Sequence, residues 1–390
     1  MIIKKVSAKK IKDSRGAYTI EVSVNGSKAS SPSGKSTGKY ESKPYRKNID
    51  WDINFINNFS KELEINSFDD LKVLESFIKK KARLKDVKDF GANALFAFES
   101  AVLKALAKEE GKELWQIVSE GVGGSSKNFP YPVGNTVGGG LHSSGFKGHP
   151  DFQEFLIIPF SDKFSVCVKA MKEFHKLVGK KIKSRKKNDE GAWNSSLGNE
   201  EVIDMFCVLK KKVENKYGID IGVGLDVAAS SFYNKGKYNY DGLKLDKKSH
   251  VDRISSLINK YGIYYIEDPL DEEDFEGFSL VKENVSGMIV GDDLTVTSPK
   301  LLKKAIRKNS ISALIVKPNQ NGSLLEVREV FRIARDNGIK TIMSHRSGET
   351  LDDALSDYAF GFGADFMKAG VSTKWREAKL KRMIKIEKSL

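Results

Sequence analysis

The sequence predicts an α/β protein with a C-terminal TIM-like (β/α)8 barrel and a smaller N-terminal α+β domain. Six short apolar runs between residues 222 and 368 each end in polar residues, and helix-length segments separate most of them. Buried strands that alternate with amphipathic helices indicate βα units and a parallel sheet. Polar side chains after successive strands are typical of a barrel, because an open doubly wound sheet usually gathers them at one switch point.

Composition indicates a globular protein that stays where it is made. Of the 390 residues, 39% are hydrophobic and 30% are charged. There is no uninterrupted apolar stretch of transmembrane length, and the N-terminal segment MIIKKVSAKKIKD has no apolar signal-peptide core. Cys167 and Cys207 each lie in an apolar helical pattern, which favours buried free thiols over a disulfide. We therefore expect a cytoplasmic protein without a membrane partner.

The net charge of +14, from 66 Lys and Arg against 52 Asp and Glu, is compatible with an anionic substrate or with nucleic acid. The most basic run, Lys180 to Lys187, lacks the interleaved aromatic residues of a platform that stacks single-stranded bases. Nucleic acid is therefore not favoured as a partner, although the charge alone leaves it open.

Residues 1–125 are predicted to form the N-terminal domain. The segment YTIEVSVNG alternates apolar and polar residues and ends in Asn-Gly, which indicates a strand followed by a turn. Apolar residues at helical spacing in SFDDLKVLESFIKKKARL, and again between Gly91 and Gly111, predict two helices. The Gly- and Ser-rich stretch from Gly121 to Pro132 is typical of a linker, so we expect the barrel over residues 126–390.

The stretch ASSPSGKSTG, from Ala29 to Gly38, fits a relaxed form of the phosphate-binding P-loop pattern. A P-loop needs a buried strand directly before the glycines and a helix that begins at the Lys-Ser pair. Here the segment STGKYESKPYRKN is polar, contains Gly38 and Pro44, and has no helical apolar stripe. The sequence therefore argues against a nucleotide-binding P-loop and predicts a mobile flap.

Three carboxylates at the ends of consecutive predicted strands form a candidate metal site. Asp226 ends the run GVGLD, Glu267 follows IYYI, and Asp292 follows GMIVG. Carboxylates that converge at one barrel mouth repel each other, and a hard, oxygen-preferring cation such as Mg²⁺ resolves that repulsion. The alternative, that each is a separate loop acid or helix-cap partner, is disfavoured because all three occupy equivalent positions.

Two lysines and a candidate anion-binding pair follow other strands. Lys317 ends ALIVK and Lys368 ends ADFMK. A lysine near metal ions and other cations can have its pKa lowered enough to act as a base. Arg346 and Ser347 follow KTIMSH and are suited to hold an anionic group such as phosphate. The alternative for this pair is a structural salt bridge and a turn hydroxyl.

Further candidates lie earlier in the barrel region. Gln153 and Glu154 lead into an apolar strand pattern, and the acidic loop around Glu190 could deliver a general acid. His142 and His149 compete for one place at the mouth, because both lie in a flexible Gly- and Ser-rich segment.

As a set, these residues resemble the enolase family over nearly the whole chain. The resemblance rests on ten stretches in family order: DSRGAYTIEVSV, SPSGKSTGKYE, GANALFAFESAVLKALA, QEFLIIP, NDEG, GLDVAASSF, YYIEDPLDEEDFEGF, IVGDDLTVTSPKLLKKAI, KPNQNGSLLE and SHRSGETLDD. Any one stretch is weak, whereas ten in order are specific. The resemblance implies the enolase-type barrel and the Mg²⁺-dependent dehydration of 2-phosphoglycerate to phosphoenolpyruvate.

The resemblance also implies catalytic roles. Lys317 is expected to remove the C2 proton, and Glu190 to act as the acid that helps the C3 hydroxyl leave, with support from Glu154. Lys368 is expected near the substrate carboxylate. The full implied catalytic set is Lys317, Glu190, Glu154, His345 and Lys368.

Metal and substrate contacts follow from the same resemblance. Two Mg²⁺ ions per active site are implied, the first held by Asp226, Glu267 and Asp292, and the second by Ser36 of the flap. The implied substrate-binding residues are His142, with His345 as the alternative, Gln153, Arg346, Ser347, Lys368 and Ser36. Enolases are commonly homodimers or larger rings, so a homo-oligomer is implied without a fixed number.

Several loops that frame the site depart from the family pattern. Lys35 stands where the flap usually has a small residue, NDEGAWNSS replaces GDEGGFAPN, and KAGVSTKWREAK departs from KTGAPxRxExxxKYN. The segment between His142 and Gln153 is also longer than usual. Three hypotheses therefore follow: an active enolase, a paralogue that abstracts a proton from another hydroxy acid, and a basic binding protein on an inactive enolase scaffold.

Overall fold

The computed structural model describes residues 1–35, 38–124, 128–146, 148–183 and 186–390. It confirms the predicted fold class, with a small N-terminal α+β domain followed by a closed barrel. The predicted boundary between residues 125 and 126 lies outside the described residues, so this boundary stays a prediction.

The N-terminal domain contains four helices and a three-stranded antiparallel sheet in the order β1-β2-β3, against which α1 and α3 pack. Its elements are β1 (Val6–Lys12), β2 (Tyr18–Val24), β3 (Ser27–Ser30), α1 (Ile49–Asn57), α2 (Leu71–Ala82), α3 (Ala92–Glu109) and α4 (Leu114–Gly121). The predicted strand and both predicted helices are present. Asn25 and Gly26 have φ angles of 48° and 86°, the left-handed conformation that a tight hairpin turn requires.

Helix α3 is buried on almost every side because it lies between the N-terminal sheet and the barrel. All residues from Ala92 to Leu103 are buried, and the helix contacts β2, β3 and the turn Pro318–Gln320 of the barrel. Gly91 precedes it with a φ of 112°, and a Cβ there would lie 2.7 Å from the Cα of Tyr45. Only glycine fits this position.

The C-terminal part alternates strands and helices, as the sequence predicts. Its elements are β4 (Tyr131–Gly138), β5 (Glu154–Phe160), α5 (Phe164–Ile182), β6 (Trp193–Asn194), α6 (Asn199–Tyr217), β7 (Asp220–Asp226), β8 (Tyr233–Asn234), β9 (Lys237–Tyr240), β10 (Leu243–Leu245), α7 (Lys247–Tyr261), β11 (Tyr265–Glu267), α8 (Phe275–Asn284), β12 (Met288–Gly291), α9 (Pro299–Arg307), β13 (Ala313–Val316), α10 (Leu324–Asp336), β14 (Lys340–Ser344), α11 (Ala354–Gly361), β15 (Phe366–Lys368) and α12 (Lys374–Ser389).

Eight strands close the barrel in the order β4, β5, β7, β11, β12, β13, β14 and β15, and β15 pairs with β4 to complete the circle. The pairings from β7 to β15 are parallel, whereas β5 is antiparallel to both β4 and β7. Because β5 runs the other way, its first residue lies at the edge where the parallel strands end. Glu154 therefore pairs in register with Asp226, the last residue of β7.

The barrel interior is filled by alternate strand residues and is closed at its far end by aromatic rings. The inward-facing cluster consists of Val133, Leu156, Ile158, Tyr265, Val290, Ala313, Ile315, Ile342 and Phe366. At the N-terminal ends of the parallel strands, Phe160 lies 5.0 Å from Tyr131 and 5.1 Å from Tyr264, measured between ring centroids. The open end of the barrel is therefore the end that carries the predicted polar residues.

Polar contacts join the N-terminal domain to the barrel near that open end. Lys104 of α3 donates to both carboxylate oxygens of Asp352 at 2.8 and 2.9 Å, and Asp352 also accepts the backbone N–H of Ser30 at 2.9 Å.

Both cysteines are free thiols, with Cys167 buried and Cys207 half-buried. Among the helices of the described ranges, none has the length and apolar character needed to cross a membrane.

Candidate active site

A cavity opens at the carboxyl end of the parallel strands. Its lining consists of His142, Gln153, Glu154, Glu190, Asp226, Ala228, Asp268, Asp292, Asp293, Lys317, Ser344, His345, Arg346, Ser347 and Lys368. Eleven of these residues are among the candidates predicted from sequence. Glu267 lies immediately below, fully buried as the last residue of β11.

Lys368 neutralises three carboxylates at the floor of the cavity. Its Nζ lies 2.8 and 2.9 Å from the two carboxylate oxygens of Glu267 and 2.8 Å from Oε2 of Glu154. Oδ2 of Asp226 is 3.6 Å away. All four side chains are at most 6% exposed. Burial alone would lower the pKa of Lys368, but the surrounding carboxylates outweigh this effect and raise the pKa well above its usual value.

The floor holds more negative charge than this single ammonium group can balance. Burial, followed by repulsion from Asp226, raises the pKa of Glu267 to about 8. Burial likewise raises the pKa of Asp226 to about 6, with further repulsion from Glu154 and Asp292, although Lys368 opposes it. Carboxylates that are buried together in this way resist ionisation unless more positive charge is supplied.

A dication of the hard, oxygen-preferring kind fits this donor set. Asp226, Glu267 and Asp292 offer carboxylate oxygens from three adjacent strands, β7, β11 and β12. Gln153 donates to Oδ2 of Asp226 at 3.2 Å, and Gln320 donates to Oδ1 of Asp292 at 3.3 Å, so two of the three groups are held in orientation by amides.

Lys317 is paired with Asp292 through a direct hydrogen bond between Nζ and Oδ2. Burial lowers the pKa of Lys317, but Asp292 outweighs that effect and the pKa is raised to about 12. The sequence predicts a lowered pKa for a lysine near metal ions and other cations. Here Arg346 does lower the pKa of Lys317, but the carboxylate of Asp292 contacts the ammonium group directly and outweighs this effect.

His142, Glu154 and Glu190 form a second cluster, in which one potential ligand atom from each lies within 4.8 Å of the others. Nδ1 of His142 is 3.5 Å from Oε1 of Glu154 and 3.9 Å from Oε2 of Glu190. Burial lowers the pKa of His142, but the two carboxylates raise it to about 9. A protonated imidazole is a poor metal ligand, so this cluster fits a charged proton donor better than a metal site.

Glu190 and His345 face each other across the cavity, with Nε2 of His345 4.0 Å from Oε2 of Glu190. Burial raises the pKa of Glu190, but His142 and Arg376 outweigh it and lower the pKa. The pKa of His345 is lowered well below its usual range, first by burial and then by Arg376. These pKa shifts favour an ionised Glu190, a neutral His345 and a protonated His142.

The candidate anion-binding pair, Arg346 and Ser347, lines the same cavity. Nη2 of Arg346 is held by Glu41, and Nη1 donates to Oδ1 of Asn319 at 3.4 Å. The backbone N–H of Lys35 donates to Oγ of Ser347 at 2.8 Å, and Nζ of Lys35 donates to the carbonyl of Leu141 at 3.4 Å. The described part of the predicted flap therefore contacts Ser347 of the cavity lining and the residue that precedes His142.

Several buried polar atoms that face this region lack a hydrogen-bond partner. Within the part of the chain that the structure describes, they include Asn135 Oδ1, His142 Nδ1 and His345 Nδ1. Buried groups of this kind usually find a partner. A polar ligand or solvent in the cavity would supply one.

Of the two competing histidines, His142 lines the cavity and His149 does not. Nδ1 of His149 donates to the carbonyl of the adjacent Pro150 at 2.9 Å. Ser36, the predicted ligand of a second metal ion, lies outside the described residues. All other predicted site residues come together at the mouth or floor of one cavity.

Sequence reasoning missed several residues that hold the site together. Glu41 was hidden in the polar segment after the flap, and Asn135 of β4 gave no signal beyond its place in a buried strand. Nδ2 of Asn135 donates to Oε2 of Glu190 at 3.4 Å. Arg376 lies in the divergent C-terminal segment KAGVSTKWREAK, where a basic residue inside a helical apolar pattern was the available signal.

A closed barrel whose carboxylates, lysines and arginine converge after successive strands defines the class of (β/α)8-barrel enzymes with the active site at the strand ends. The family model of the enolase C-terminal TIM barrel domain matches residues 126–390, and that of the enolase N-terminal domain matches residues 3–118. The chain belongs to the enolase family.

Similar proteins support this assignment over the whole length of the chain. The chain is 35% identical to an enolase of Archaeoglobus fulgidus over 400 residues, which cover 99% of this chain and 97% of that protein. It is 36% identical to an enolase of Methanocorpusculum labreanum, with 97% and 96% covered, and 35% identical to an enolase of Picrophilus torridus, with 100% and 99% covered.

Proposed function

We propose that the chain is a hydro-lyase that dehydrates 2-phosphoglycerate to phosphoenolpyruvate. The observation that carries this proposal is the convergence of a buried lysine, several buried carboxylates and an arginine on one cavity. The reaction needs a base for the poorly acidic C2 proton, positive charge beside the substrate carboxylate, and an acid for the leaving hydroxyl. Each requirement has a candidate residue among those that line the cavity.

Arg346 and Ser347 are proposed to bind the substrate phosphate, and together they are called the phosphate grip. A guanidinium group and a hydroxyl can donate together to phosphate oxygens. The substrate carboxylate would then point toward Lys368 and toward the Mg²⁺ that the carboxylate floor would hold, which together would supply the positive charge. This orientation places the carbon skeleton between Lys317 and the cluster of His142, Glu154 and Glu190.

Lys317 is proposed as the base, with the proton received at Nζ. Its pairing with Asp292 holds a proton on Nζ in the free protein, so this carboxylate must engage another positive charge before Lys317 can act. Asp226, Glu267 and Asp292 would hold Mg²⁺, which when bound supplies positive charge that stabilises the negative charge developing on the substrate carboxylate. A second Mg²⁺, with Ser36 as a ligand, is part of the proposal.

Glu190 and His142 are proposed to deliver the proton to the C3 hydroxyl. In the free protein the proton lies on His142, and Glu190 is ionised. The two groups are 3.9 Å apart, so substrate binding between them can transfer this proton to Glu190 before the hydroxyl leaves. Glu154 keeps the cluster oriented through its contacts with His142 and Lys368.

The alternative of a paralogue with another hydroxy acid as substrate rests on one observation. Lys35 stands where the family usually has a small residue, and its Nζ adds a cation 3.4 Å from the carbonyl of Leu141, next to His142 of the cavity lining. A screen of phosphorylated and carboxylated hydroxy acids would separate this reading from the first. The third hypothesis is a basic binding protein on an inactive enolase scaffold. It predicts that nucleic acid binds at the run from Lys180 to Lys187 in a salt-sensitive way, without turnover.

The test of the proposed function is turnover of 2-phosphoglycerate by the purified protein with Mg²⁺, followed by the ultraviolet absorbance of phosphoenolpyruvate. We expect turnover that EDTA abolishes and added Mg²⁺ restores. If the folded protein does not turn over 2-phosphoglycerate in the presence of Mg²⁺, the proposal is contradicted. The paralogue hypothesis or the scaffold hypothesis would then be favoured.

The proposal extends to assembly, location and domain division. We expect a homodimer or larger homo-oligomer, which light scattering coupled to gel filtration would measure directly. A glycolytic role would place the protein in the cytoplasm with its phosphorylated substrate. The division into residues 1–125 and 126–390 would be tested by limited proteolysis, with cleavage expected in the predicted linker.

A further inference from the structure

Arg376 of α12 is a buried arginine whose hydrogen bonds are directed at the phosphate-binding loop. The side chain is 0% exposed. Its Nη2 donates to the backbone carbonyl of Arg346 at 3.1 Å and to that of Ser347 at 2.8 Å. These are the two residues proposed to hold the substrate phosphate. One nitrogen of Arg376 therefore fixes two successive peptide groups of the grip.

A second nitrogen of Arg376 joins the same loop to the N-terminal domain. Nη1 donates to Oγ of Ser14 at 3.2 Å, and Oγ of Ser14 donates to the carbonyl of Ser347 at 3.3 Å. Oγ of Ser14 also accepts the backbone N–H of Glu349 at 3.1 Å. The loop that carries the phosphate grip is therefore hydrogen-bonded both to α12 and to the turn between β1 and β2.

The arrangement is unusual for a buried cation. Buried charges are normally paired with an opposite charge, yet no carboxylate of the described residues forms an ion pair with Arg376. All of its recorded acceptors are carbonyl or hydroxyl oxygens. Gly370 lies against it, since a Cβ at that position would be 2.8 Å from Cγ of Arg376. The surrounding segment leaves this side chain little freedom to take another orientation.

We infer that Arg376 is a positioning residue that sets the geometry of the phosphate grip. It touches no reacting atom and acts through the backbone of Arg346 and Ser347. Because both peptide groups are fixed, the side chains of Arg346 and Ser347 project from the loop in defined directions. This inference rests on the proposed function, because it takes these two residues as the phosphate ligands.

The planar fork of arginine explains why this residue type is needed. A guanidinium group can donate to three acceptors in fixed directions, whereas the ammonium of lysine is shorter in reach and lacks the fork. Arg376→Lys should therefore restore only part of the function that Arg376→Met removes. Ser14→Ala removes one of the bridging contacts and should have a smaller effect than either.

Arg382 supplies a matched control. It lies on the same helix, is at most 9% exposed, and donates Nε to Oδ2 of Asp357 at 2.9 Å, away from the grip. Loss of either arginine removes a largely buried cation from α12 and should lower thermal stability. A loss of phosphate affinity is expected only from the change at Arg376.

The experiment measures steady-state kinetics and ligand binding for the wild type, Arg376→Met, Arg376→Lys, Ser14→Ala and Arg382→Met. For Arg376→Met we expect KM for 2-phosphoglycerate to rise by about tenfold or more with a much smaller change in kcat, because the grip binds the phosphate in the ground state and transition state alike. For Arg382→Met we expect KM to stay within about twofold of the wild type. Equal KM changes in the two variants, or none in Arg376→Met, would overturn the inference.

Calorimetric titration with 2-phosphoglycerate in the presence of Mg²⁺ separates this inference from the proposed function. Wild-type protein that binds this ligand without turnover would contradict the proposed function, and the Kd ratio between Arg376→Met and Arg382→Met would still test the positioning role. Wild-type protein that neither binds nor turns over would overturn both. Should Arg376→Met fail to fold, judged by circular dichroism, Arg376→Lys and Ser14→Ala provide the same comparison.

Discussion

The carboxylate of Glu41 forms an ion pair with Arg346, with its two oxygens 3.0 and 3.2 Å from Nη2 of the arginine. Both side chains are nearly buried, at 7% and 4% exposed. The guanidinium group proposed to bind the substrate phosphate is therefore already engaged by an anion from the segment that follows the flap. A phosphate that binds Arg346 must share this group with Glu41 or displace it.

Glu41→Gln should strengthen the binding of phosphate. The amide keeps the shape of Glu41 but removes the charge that competes for Arg346, so we expect Kd for inorganic phosphate to fall by about threefold or more. Calorimetric titration would measure it. Glu273→Gln is the control, because Glu273 pairs with Lys39 of the same segment and not with Arg346. Weaker binding by Glu41→Gln would mean that Glu41 orients the arginine and does not compete for it.

Lys317 and Glu190 should separate into two distinct roles. Lys317→Ala should lower the exchange of the C2 proton with solvent by about two to four orders of magnitude, because the base itself is lost. Glu190→Gln should retain measurable exchange but lose dehydration, since only the proton donor to the hydroxyl is affected. Deuterium incorporation into 2-phosphoglycerate, measured by mass spectrometry, distinguishes the two. Equal loss of both reactions in Glu190→Gln would contradict the assignment.

The residues that could be read from the sequence are those whose position follows from local pattern. Asp226 and Glu267 end apolar runs of strand length, and Lys317 directly follows one, so a barrel brings them to one mouth whatever the details of packing. The helix α3 was predictable for the same reason, since its apolar residues are contiguous along the chain.

The rest of the site depends on contacts between distant segments. Glu41 and Arg346 are 305 positions apart in the chain, and no local pattern joins them. The reversed direction of β5 was also hidden, because a strand's apolar pattern is the same in either direction. The sequence predicts a lowered pKa for Lys317 near metal ions and other cations, whereas in this structure the carboxylate of Asp292 stabilises the ammonium group and raises the pKa.

Lys104 should contribute strongly to the docking of the N-terminal domain on the barrel. Its partner Asp352 is at most 11% exposed, and the pair joins α3 to the segment before α11. Lys104→Met would leave a buried carboxylate without its cation, and we expect the free energy of unfolding to fall by about 3 kcal/mol.

Urea unfolding measures this loss, and Lys9→Met provides the contrast. Lys9 pairs with Glu21 at 3.1 Å on the surface, so its removal should cost less than about 1 kcal/mol. The double variant Lys104→Met/Asp352→Asn should be more stable than Lys104→Met, because the unpaired charge is gone while the amide oxygen can still accept the backbone N–H of Ser30. A destabilised Lys104→Met with no such recovery would show that packing and not charge is lost.

His250 should make the protein less stable in acid. The imidazole is fully buried, donates from Nε2 to the carbonyl of Pro269 at 2.8 Å, and accepts at Nδ1 from the hydroxyl of Tyr240 at 3.1 Å. Burial lowers the pKa of His250 to about 4, and Arg253 adds to this effect, although the hydrogen bond to Pro269 opposes it.

The sign of the pH dependence follows from the two states. In the unfolded chain the imidazole takes up a proton near pH 6.5, whereas the folded protein does so only near pH 4, so the free energy of unfolding falls between these values by up to about 3 kcal/mol. His250→Gln removes this titration, and its deficit relative to the wild type should therefore be smaller at pH 5 than at pH 8 in urea unfolding. Tyr238→Phe, which alters the ring stacked 3.9 Å from His250, should show the same deficit at both pH values, since a phenol does not titrate in this range. An unchanged deficit in His250→Gln would mean that His250 does not contribute to acid unfolding.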